Sequence, residues 1–110
     1  MSKENYRKLL IKDKTSDADV ERKALFLIFS NDDLFRKVTH LYDFKEHSIK
    51  PESLENGDVD LSSSSRKLVL VAFNLYNGHY AADICDTFDG LDDKNFNLVI
   101  QAIKIRFNKA

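Results

Sequence analysis

The fold is decided by residues 62–78, which read SSSSRKLVLVAFNLYNG. Serine is a preferred N-cap residue, and glycine is typical of the position just past a helix C-terminus. Between these signals, Leu68–Tyr76 contains one polar residue, Asn74. A helix that is apolar on every side must be surrounded by the rest of the protein. The segment therefore predicts a central helix that begins at the serines and ends at Asn77.

A β-hairpin is the alternative for the same segment. The apolar run contains good strand residues, and Asn77-Gly78 is a favoured hairpin turn. However, the returning strand would run through Ala81-Ala82-Asp83, which is a poor strand sequence. We therefore expect the helix.

Capping residues and amphipathic spacing predict the other long helices. Ser16 followed by Asp19 has the form of a capping box, so a second helix is expected to begin there and to end near Ser30. Asp92 is expected to cap a last helix that reaches about Phe107. The apolar stripe of this last helix consists of Phe96, Val99, Ile100, Ile103 and Phe107.

A third helix is predicted from Ser30 to about Phe44, because its apolar residues share one face. These residues are Leu34, Phe35, Val38, Leu41 and Tyr42. A short, peripheral N-terminal helix and a short helical turn at residues 81–88 complete the set. The sequence thus predicts a mainly α protein, with a single compact helical domain of about five helices over residues 1–110. Leu68–Tyr76 and Phe96–Phe107 are expected at its centre.

Residues 49–61 do not follow a helical period. Pro51 disfavours helical geometry in the residue before it. Asn56-Gly57 favours a tight turn, since both residues tolerate positive φ angles. A short β-hairpin around residues 49–61 is one interpretation of this segment, and an irregular loop is the other.

Composition excludes several classes of protein. Leu, Ile, Val and Phe make up 34 of the 110 residues, well above the level of about 20% below which chains stay disordered. The formal net charge is -1, so no general field draws the chain to nucleic acid or to a membrane surface. The longest apolar runs have six residues, against about 20 for a membrane-spanning helix. We therefore expect a soluble protein, with no membrane and no nucleic acid among its partners.

Cysteine usage and the N-terminus bear on location. Cys85 is the single cysteine, so no disulfide within the chain can form. Three apolar residues, Leu9–Ile11, follow the charged N-terminus, where a signal peptide needs about 7 to 15. We expect a cytoplasmic protein. A lone cysteine in an apolar helix is usually a buried packing residue, so Cys85 is interpreted in this way rather than as a nucleophile beside His79.

Candidate catalytic and metal-ligating residues are few. His40, Asp43 and His47 would share one face if the third helix continued that far, and two histidines with a carboxylate are a possible metal set. Their spacing matches no zinc motif, and Arg36 falls on the same side, so a solvated polar face is the favoured interpretation. An enzyme that uses His40 and Asp43 is the least favoured alternative. We predict no catalytic residue, no cofactor and no metal.

Five aspartates lie within eleven residues without an intervening base: Asp83, Asp86, Asp89, Asp92 and Asp93. A calcium loop with Gly90 at its sixth position fails, because Phe96 would occupy the twelfth ligand position. Helix caps and solubility are the favoured explanation. The alternative is an acidic surface that binds a basic partner, because opposite charge steers association. Its residues would be Asp86, Asp89, Asp92 and Asp93.

Two further binding modes stay open. Asn97, Gln101 and Lys104 form a polar strip on the last helix, which could line a pocket for a small molecule such as a nucleotide. Apolar residues on every side of several helices fit either one buried centre or a homodimer interface.

Most of the chain resembles a family of small uncharacterised proteins from low-GC Gram-positive bacteria and their phages. The resemblance lies in residues 62–107, with RKL at 66–68, AFNLYNG at 72–78 and AIKIRF at 102–107, and also in ERKALF at 21–26 and YDFK at 42–45. It implies a non-catalytic protein that binds and modulates a host or phage protein, such as a component of a bacterial immune system. It supplies no catalytic or ligand-binding residue.

Overall fold

A computed structural model describes residues 2–110 of the chain and shows a mainly helical domain, as predicted. The helices in this range are α1 (Ser2–Asp13), α2 (Val20–Phe29), α3 (Asp32–Arg36), α4 (Glu52–Glu55), α5 (Ser63–Asn77), α6 (Ile84–Asp89) and α7 (Asp93–Arg106). One 3-10 turn covers Val38–His40, and one antiparallel hairpin pairs β1 (Tyr42–Asp43) with β2 (Ser48–Ile49). None of the helices within residues 2–110 has the length and apolar character that crossing a membrane requires.

The predicted central helix is α5. Ser62 begins it by accepting a hydrogen bond from the backbone N–H of Ser65 at 3.1 Å, and Gly78 ends it in the left-handed region at φ 75°. The helix packs against α2, α6 and α7. Its buried residues are Ser65, Leu68, Val69, Val71, Ala72, Phe73 and Leu75. The hairpin alternative for this segment is wrong.

The second helix begins later than predicted. Asp19 caps α2 by accepting a hydrogen bond from the backbone N–H of Arg22 at 3.0 Å. Ser16 instead accepts from the backbone N–H of Ala18 at 3.3 Å, in the turn that precedes the helix. This helix packs against α1, α5 and α7. Its apolar half is buried except at Leu27, which is half-buried; Ala24, Leu25, Phe26, Ile28 and Phe29 are all buried.

The third helix is not continuous. Asn31 caps α3 by accepting hydrogen bonds from the backbone N–H groups of Asp33 and Leu34, but the helix ends at Arg36 because Lys37 leaves helical geometry at φ -108° and ψ 9°. The chain continues through the 3-10 turn into β1. The predicted burial is confirmed for Leu34, Val38, Leu41 and Tyr42, which lie in the core, and Phe35 is half-buried against it.

The β-hairpin lies before residues 49–61 rather than within them. Tyr42 pairs with Ile49 and Asp43 with Ser48, and His47 adopts a left-handed φ of 55° at the turn. The segment after Ile49 contains α4, and Gly57 follows it with a φ of 69°. Asn56-Gly57 therefore ends a helix, which uses the same positive φ that a hairpin turn would use.

The N-terminal helix is more buried than predicted, and the last helix is less buried than predicted. The N-terminal helix is not peripheral, since Leu9 is 1% exposed and Asp13 is also buried. In α7, Asp92 is the N-cap, as predicted, and Val99 and Ala102 are buried. The predicted stripe of α7 is only partly internal, because Phe96 and Phe107 are 42% and 54% exposed.

Asp33 joins α3 to the start of α5. Its carboxylate accepts a hydrogen bond from Ser65 Oγ at 2.9 Å and lies 3.1 Å from Lys37 Nζ and 3.3 Å from Arg36 Nη2. Burial alone would raise the pKa of Asp33. The hydrogen bonds from Ser65 and Lys37, with the charges of Lys37 and Arg36, outweigh burial, so this pKa lies below its ordinary value.

We expect Asp33→Asn to destabilise the protein by about 1 kcal/mol at pH 7 and by less at pH 3. Because the folded-state pKa of Asp33 is depressed, its contribution is fully present above the unfolded-state pKa of about 3.9. The contribution is lost as the pH falls through the folded-state pKa. Urea denaturation at the two pH values measures the difference, with the exposed Asp58→Asn as the control. An equal loss at both pH values would contradict this role.

Candidate functional site

The predicted histidine set is dispersed. His40 lies in the 3-10 turn, Asp43 in β1 and His47 at the hairpin turn. The Asp43 carboxylate accepts the backbone N–H groups of Glu46 and Lys45 at 3.0 and 2.9 Å, and these hydrogen bonds lower the pKa of Asp43. Among residues 2–110, no three His, Cys, Asp or Glu side chains are grouped as metal ligands would be. His47 contacts Asp13 instead.

A buried polar cluster forms around Asp13, where α1, α2 and the hairpin meet. Asp13 Oδ1 accepts hydrogen bonds from Tyr42 Oη at 2.8 Å and His47 Nδ1 at 2.7 Å. Its Oδ2 accepts from Thr15 Oγ1 at 2.7 Å and lies 3.8 Å from Arg22 Nε. The Asp13 side chain is 1% exposed. We call Asp13, Thr15, Arg22, Tyr42 and His47 the Asp13 cluster.

Arg22 is the member of the Asp13 cluster that lies on α2. It donates to Tyr42 Oη at 3.1 Å, to Asp19 Oδ2 at 2.9 Å and to the His47 carbonyl at 2.6 Å. Burial by itself would lower the pKa of Arg22, but the hydrogen bonds to Tyr42 and Asp19 raise it above the ordinary value. Burial also raises the pKa of Tyr42, and its bond to Asp13 adds to that effect. Tyr42 thus stays protonated and donates to the carboxylate.

The hydrogen bonds of the Asp13 cluster are those of a group that stabilises the fold. Asp13 holds His47 through one ring nitrogen, which is also how a general base is oriented. However, the buried side-chain N and O atoms of the described residues all have hydrogen-bond partners. The cluster adds polar contacts between three elements that the apolar core also joins through Leu9, Phe26 and Tyr42, and its member His47 adopts a positive φ. We therefore assign it to holding the hairpin on the helices.

The aspartates of the predicted acidic surface lie on α6, α7 and the link between them. Asp83 caps α6 by accepting from the backbone N–H of Asp86, and Asp92 caps α7 by accepting from that of Asn95. The cap interpretation is therefore confirmed for these two residues. All five aspartates are exposed, and none of them forms an ion pair within the described residues: Asp83, Asp86, Asp89, Asp92 and Asp93.

An apolar groove lies between α5, α6 and the end of α7, and none of these aspartates lines it. Its volume is about 210 Å³. Large apolar side chains on this surface are exposed, with Ile84 at 73% and Phe107 at 54%. Phe96 extends it, since its ring lies 5.2 Å from that of Phe88, which lines the groove. We call this surface the α6 groove; its lining residues are Val71, Asn74, Leu75, Ala82, Ile84, Thr87, Phe88, Ile103 and Phe107.

Cys85 is exposed, so its interpretation as a buried packing residue is wrong. The reason is that α6 has only six residues and turns Thr87 and Phe88 inward. Cys85 therefore falls on the outer side of the helix, with Asp86 and Asp89. His79 lies in the exposed link that follows α5.

A second cavity, which we call the amide cavity, lies between α1, α2 and α7. Its volume is about 350 Å³. Asn97 and Gln101 of the predicted polar strip both line it, whereas Lys104 does not. The cation on its α7 side is Lys94, and α1 contributes Lys3 and Tyr6. Sequence reasoning missed Lys3 and Tyr6 because the packing of α1 against α2 could not be predicted, whereas Lys94 lies three residues before Asn97 on α7 and could have been included in the polar strip.

Comparison with known proteins gives one match. The model of a family of unknown function, DUF6075, covers residues 1–110. No curated protein and no solved structure matches the chain. Since the family model spans the whole sequence, the chain belongs to DUF6075, a family of unknown function.

Proposed function

We propose that this chain is a non-catalytic protein-binding module whose contact surface is the α6 groove together with the exposed aspartates of α6 and of the start of α7. The observation that carries the proposal is the exposure of Ile84, which stands 73% exposed on a helix of six residues. The partner is a protein segment with apolar side chains flanked by lysine or arginine. The apolar side chains enter the groove, and the basic ones meet Asp86, Asp89, Asp92 and Asp93.

Apolar exposure supports the first half of the proposal. Exposed apolar residues that stand singly are common on protein surfaces, whereas contiguous patches mark interaction sites. Ile84 and Phe107 line one groove, and Phe96 joins it through Phe88. Aromatic side chains are enriched at the anchoring positions of interfaces. Covering this surface would remove from water the largest exposed side chains of α6 and α7.

Charge supports the second half of the proposal and favours a positively charged partner. Residues 80–93 contain five aspartates and no Lys or Arg. Lys67 lies beside Gly90 at the edge of this segment. The formal charge of the segment is therefore negative on a chain whose net charge is only -1. Such a local field increases the association rate of a basic partner more than it increases affinity.

The resemblance to phage and bacterial proteins supports a choice of partner. A phage- or prophage-encoded module of this kind would occupy a surface of a host protein and modulate it, and a component of a bacterial defence system is the first class to test. Occupation of a surface needs no catalytic group, cofactor or metal. Proteins of Gram-positive cytoplasm are accordingly the pool in which we would search.

Affinity capture with matched variants tests the proposal. The tagged protein is expressed in a Gram-positive host, with and without phage infection, and captured proteins are identified by mass spectrometry. Ile84→Asp places a charge in the α6 groove, and Ile11→Asp is its control, since Ile11 is 69% exposed on α1. We expect a stoichiometric partner that Ile84→Asp binds at least about tenfold more weakly, the loss expected for one interface anchor. Ile11→Asp should keep full affinity.

Charge reversal separates the aspartates from the groove. Asp86→Lys combined with Asp89→Lys should slow association and reduce its dependence on salt, with a smaller change in dissociation. Surface plasmon resonance with the captured partner measures both rates. Capture that persists in Ile84→Asp, or a partner lost equally in Ile11→Asp, would remove the support for this surface. Failure to capture any stoichiometric partner would contradict the function itself.

A further inference from the structure

The amide cavity is distinct from the α6 groove and is built differently. Its volume of about 350 Å³ lies within the range of small-molecule sites. Leu27, Leu98 and Tyr6 provide half-buried apolar surface from three different helices. Leu27 is notable because the residues on either side of it in α2 are fully buried. The cavity thus keeps open a part of α2 that would otherwise be covered by the core.

The charged residues that line the amide cavity are all positive. Lys3 and Lys94 line it from α1 and α7, and no Asp or Glu is among its lining residues. In a chain with nearly equal numbers of acidic and basic residues, a cavity with two cations and no carboxylate favours an anionic ligand. Lysine binds phosphate groups as a mobile point charge.

The amides of this cavity retain hydrogen-bonding capacity. Asn31 is fixed, since its Oδ1 caps α3 and its Nδ2 donates to Asn95 Oδ1 at 3.0 Å. Asn97 and Gln101 are one helical turn apart on α7, and within residues 2–110 their side chains form no hydrogen bond. Each amide offers a donor and an acceptor. Asn97 and Gln101 therefore suit a ligand that presents alternating hydrogen-bond donors and acceptors along one edge.

We infer that the amide cavity binds a nucleoside monophosphate. The base lies against Tyr6, Leu27 and Leu98, because aromatic and apolar surfaces accept the faces of bases. Asn97 and Gln101 pair with its polar edge, since side-chain amides form paired hydrogen bonds with bases. Lys94 and Lys3 receive the phosphate. A fatty acid would use the apolar walls and a lysine, but it would form no paired hydrogen bonds with the two amides.

Titration calorimetry on the full chain tests the assignment. The probes are AMP, GMP, CMP and UMP, with inorganic phosphate, adenosine and decanoate as comparison ligands. We expect at least one nucleotide to bind with a Kd below about 1 mM and to raise the melting temperature with its concentration. Inorganic phosphate and adenosine should each bind at least about tenfold more weakly, because each lacks half of the recognised groups.

Two variants and a matched control locate the ligand. Lys94→Gln should weaken nucleotide binding about tenfold, the loss expected for one charge-assisted hydrogen bond. Asn97→Ala should change the preference among the four bases. Lys109→Gln removes the same charge beyond the end of α7 and should bind as the wild type does. Circular dichroism shows that each variant remains folded.

The assignment is overturned by any of three results. The first is that none of the four nucleotides binds at millimolar concentration. The second is that decanoate binds more tightly than all of them. The third is that Lys94→Gln and Lys109→Gln bind the best nucleotide equally well. Capture of a protein partner by the α6 groove has no bearing on these results, because the two sites share no lining residue.

Discussion

Replacing Asp13 with alanine is expected to lower the free energy of unfolding by about 3–5 kcal/mol, the cost of removing one partner from a buried ionic network. Folded domains have a total stability of about 5–15 kcal/mol. A single buried polar residue at the end of α1 would thus account for a large share of the stability of this protein. The loss is measured by urea denaturation with linear extrapolation.

The large effect has an identifiable origin. Without the carboxylate, the hydroxyls of Tyr42 and Thr15 lose their acceptor, and Arg22 keeps Asp19 as its partner. Tyr42 is 1% exposed, so water cannot easily replace Asp13. An unsatisfied buried donor costs about 1–3 kcal/mol, which makes the donors left behind more important than the ion pair itself.

Two controls separate the carboxylate from its neighbours. Asp13→Asn keeps the size of the side chain and one acceptor oxygen, so we expect about half of the alanine effect. His47→Ala should cost less than about 1 kcal/mol, because the His47 side chain is 48% exposed and can be hydrated. A loss below about 1 kcal/mol for Asp13→Ala would show that the cluster contributes little to holding the hairpin.

The long helices were predictable because several local signals agree at each end. In α5, the serine cap, the apolar run and the glycine at positive φ all indicate the same boundaries. In α7, Asp92 caps the first turn as its position predicts. Such agreement between capping and hydrophobic pattern leaves few alternatives. The sequence could not show which side of α7 stays exposed, because that depends on where α6 ends.

The segment from Asn31 to Ile49 shows why burial can be predicted where secondary structure is not. Leu34, Val38 and Leu41 are buried, as an amphipathic helix would require. The same residues reach the core from a short helix followed by a 3-10 turn, since both geometries place side chains three to four residues apart on one side. Local spacing therefore fixes the inward side without fixing the backbone.

The Asp13 cluster could not be derived from spacing, because its members are far apart in sequence. Asp13 and His47 are separated by 34 positions, and Arg22 and Tyr42 by 20. The one local signal was Tyr42 within an apolar stripe, since a buried tyrosine hydroxyl needs a partner. The acidic surface and the amide cavity could be predicted in part. The aspartates of the acidic surface are close in sequence, as are the amides of the cavity, so both sets could be identified from the sequence. The α6 groove and Lys3 could not.

Replacing Phe73 with alanine is expected to destabilise the protein by about 3–5 kcal/mol, as for other large aromatic side chains in cores. Phe73 is fully buried in α5, and its ring centre lies 6.2 Å from that of Phe29 and 5.9 Å from that of Tyr80. The loss combines the transfer of the ring from water with a cavity that α2 and α5 can fill only in part.

Phe107→Ala is the matched control for Phe73→Ala, because it removes the same ring from a position that is 54% exposed. We expect it to change the free energy of unfolding by less than about 1 kcal/mol, since little of this side chain is taken out of water on folding. The same variant should weaken capture of the partner if the α6 groove is the contact surface. Stability would then depend on Phe73 and partner binding on Phe107. This is expected if Phe107 is exposed because it contacts a partner. Equal losses of stability for the two variants would instead place Phe107 in the core and remove it from the proposed interface.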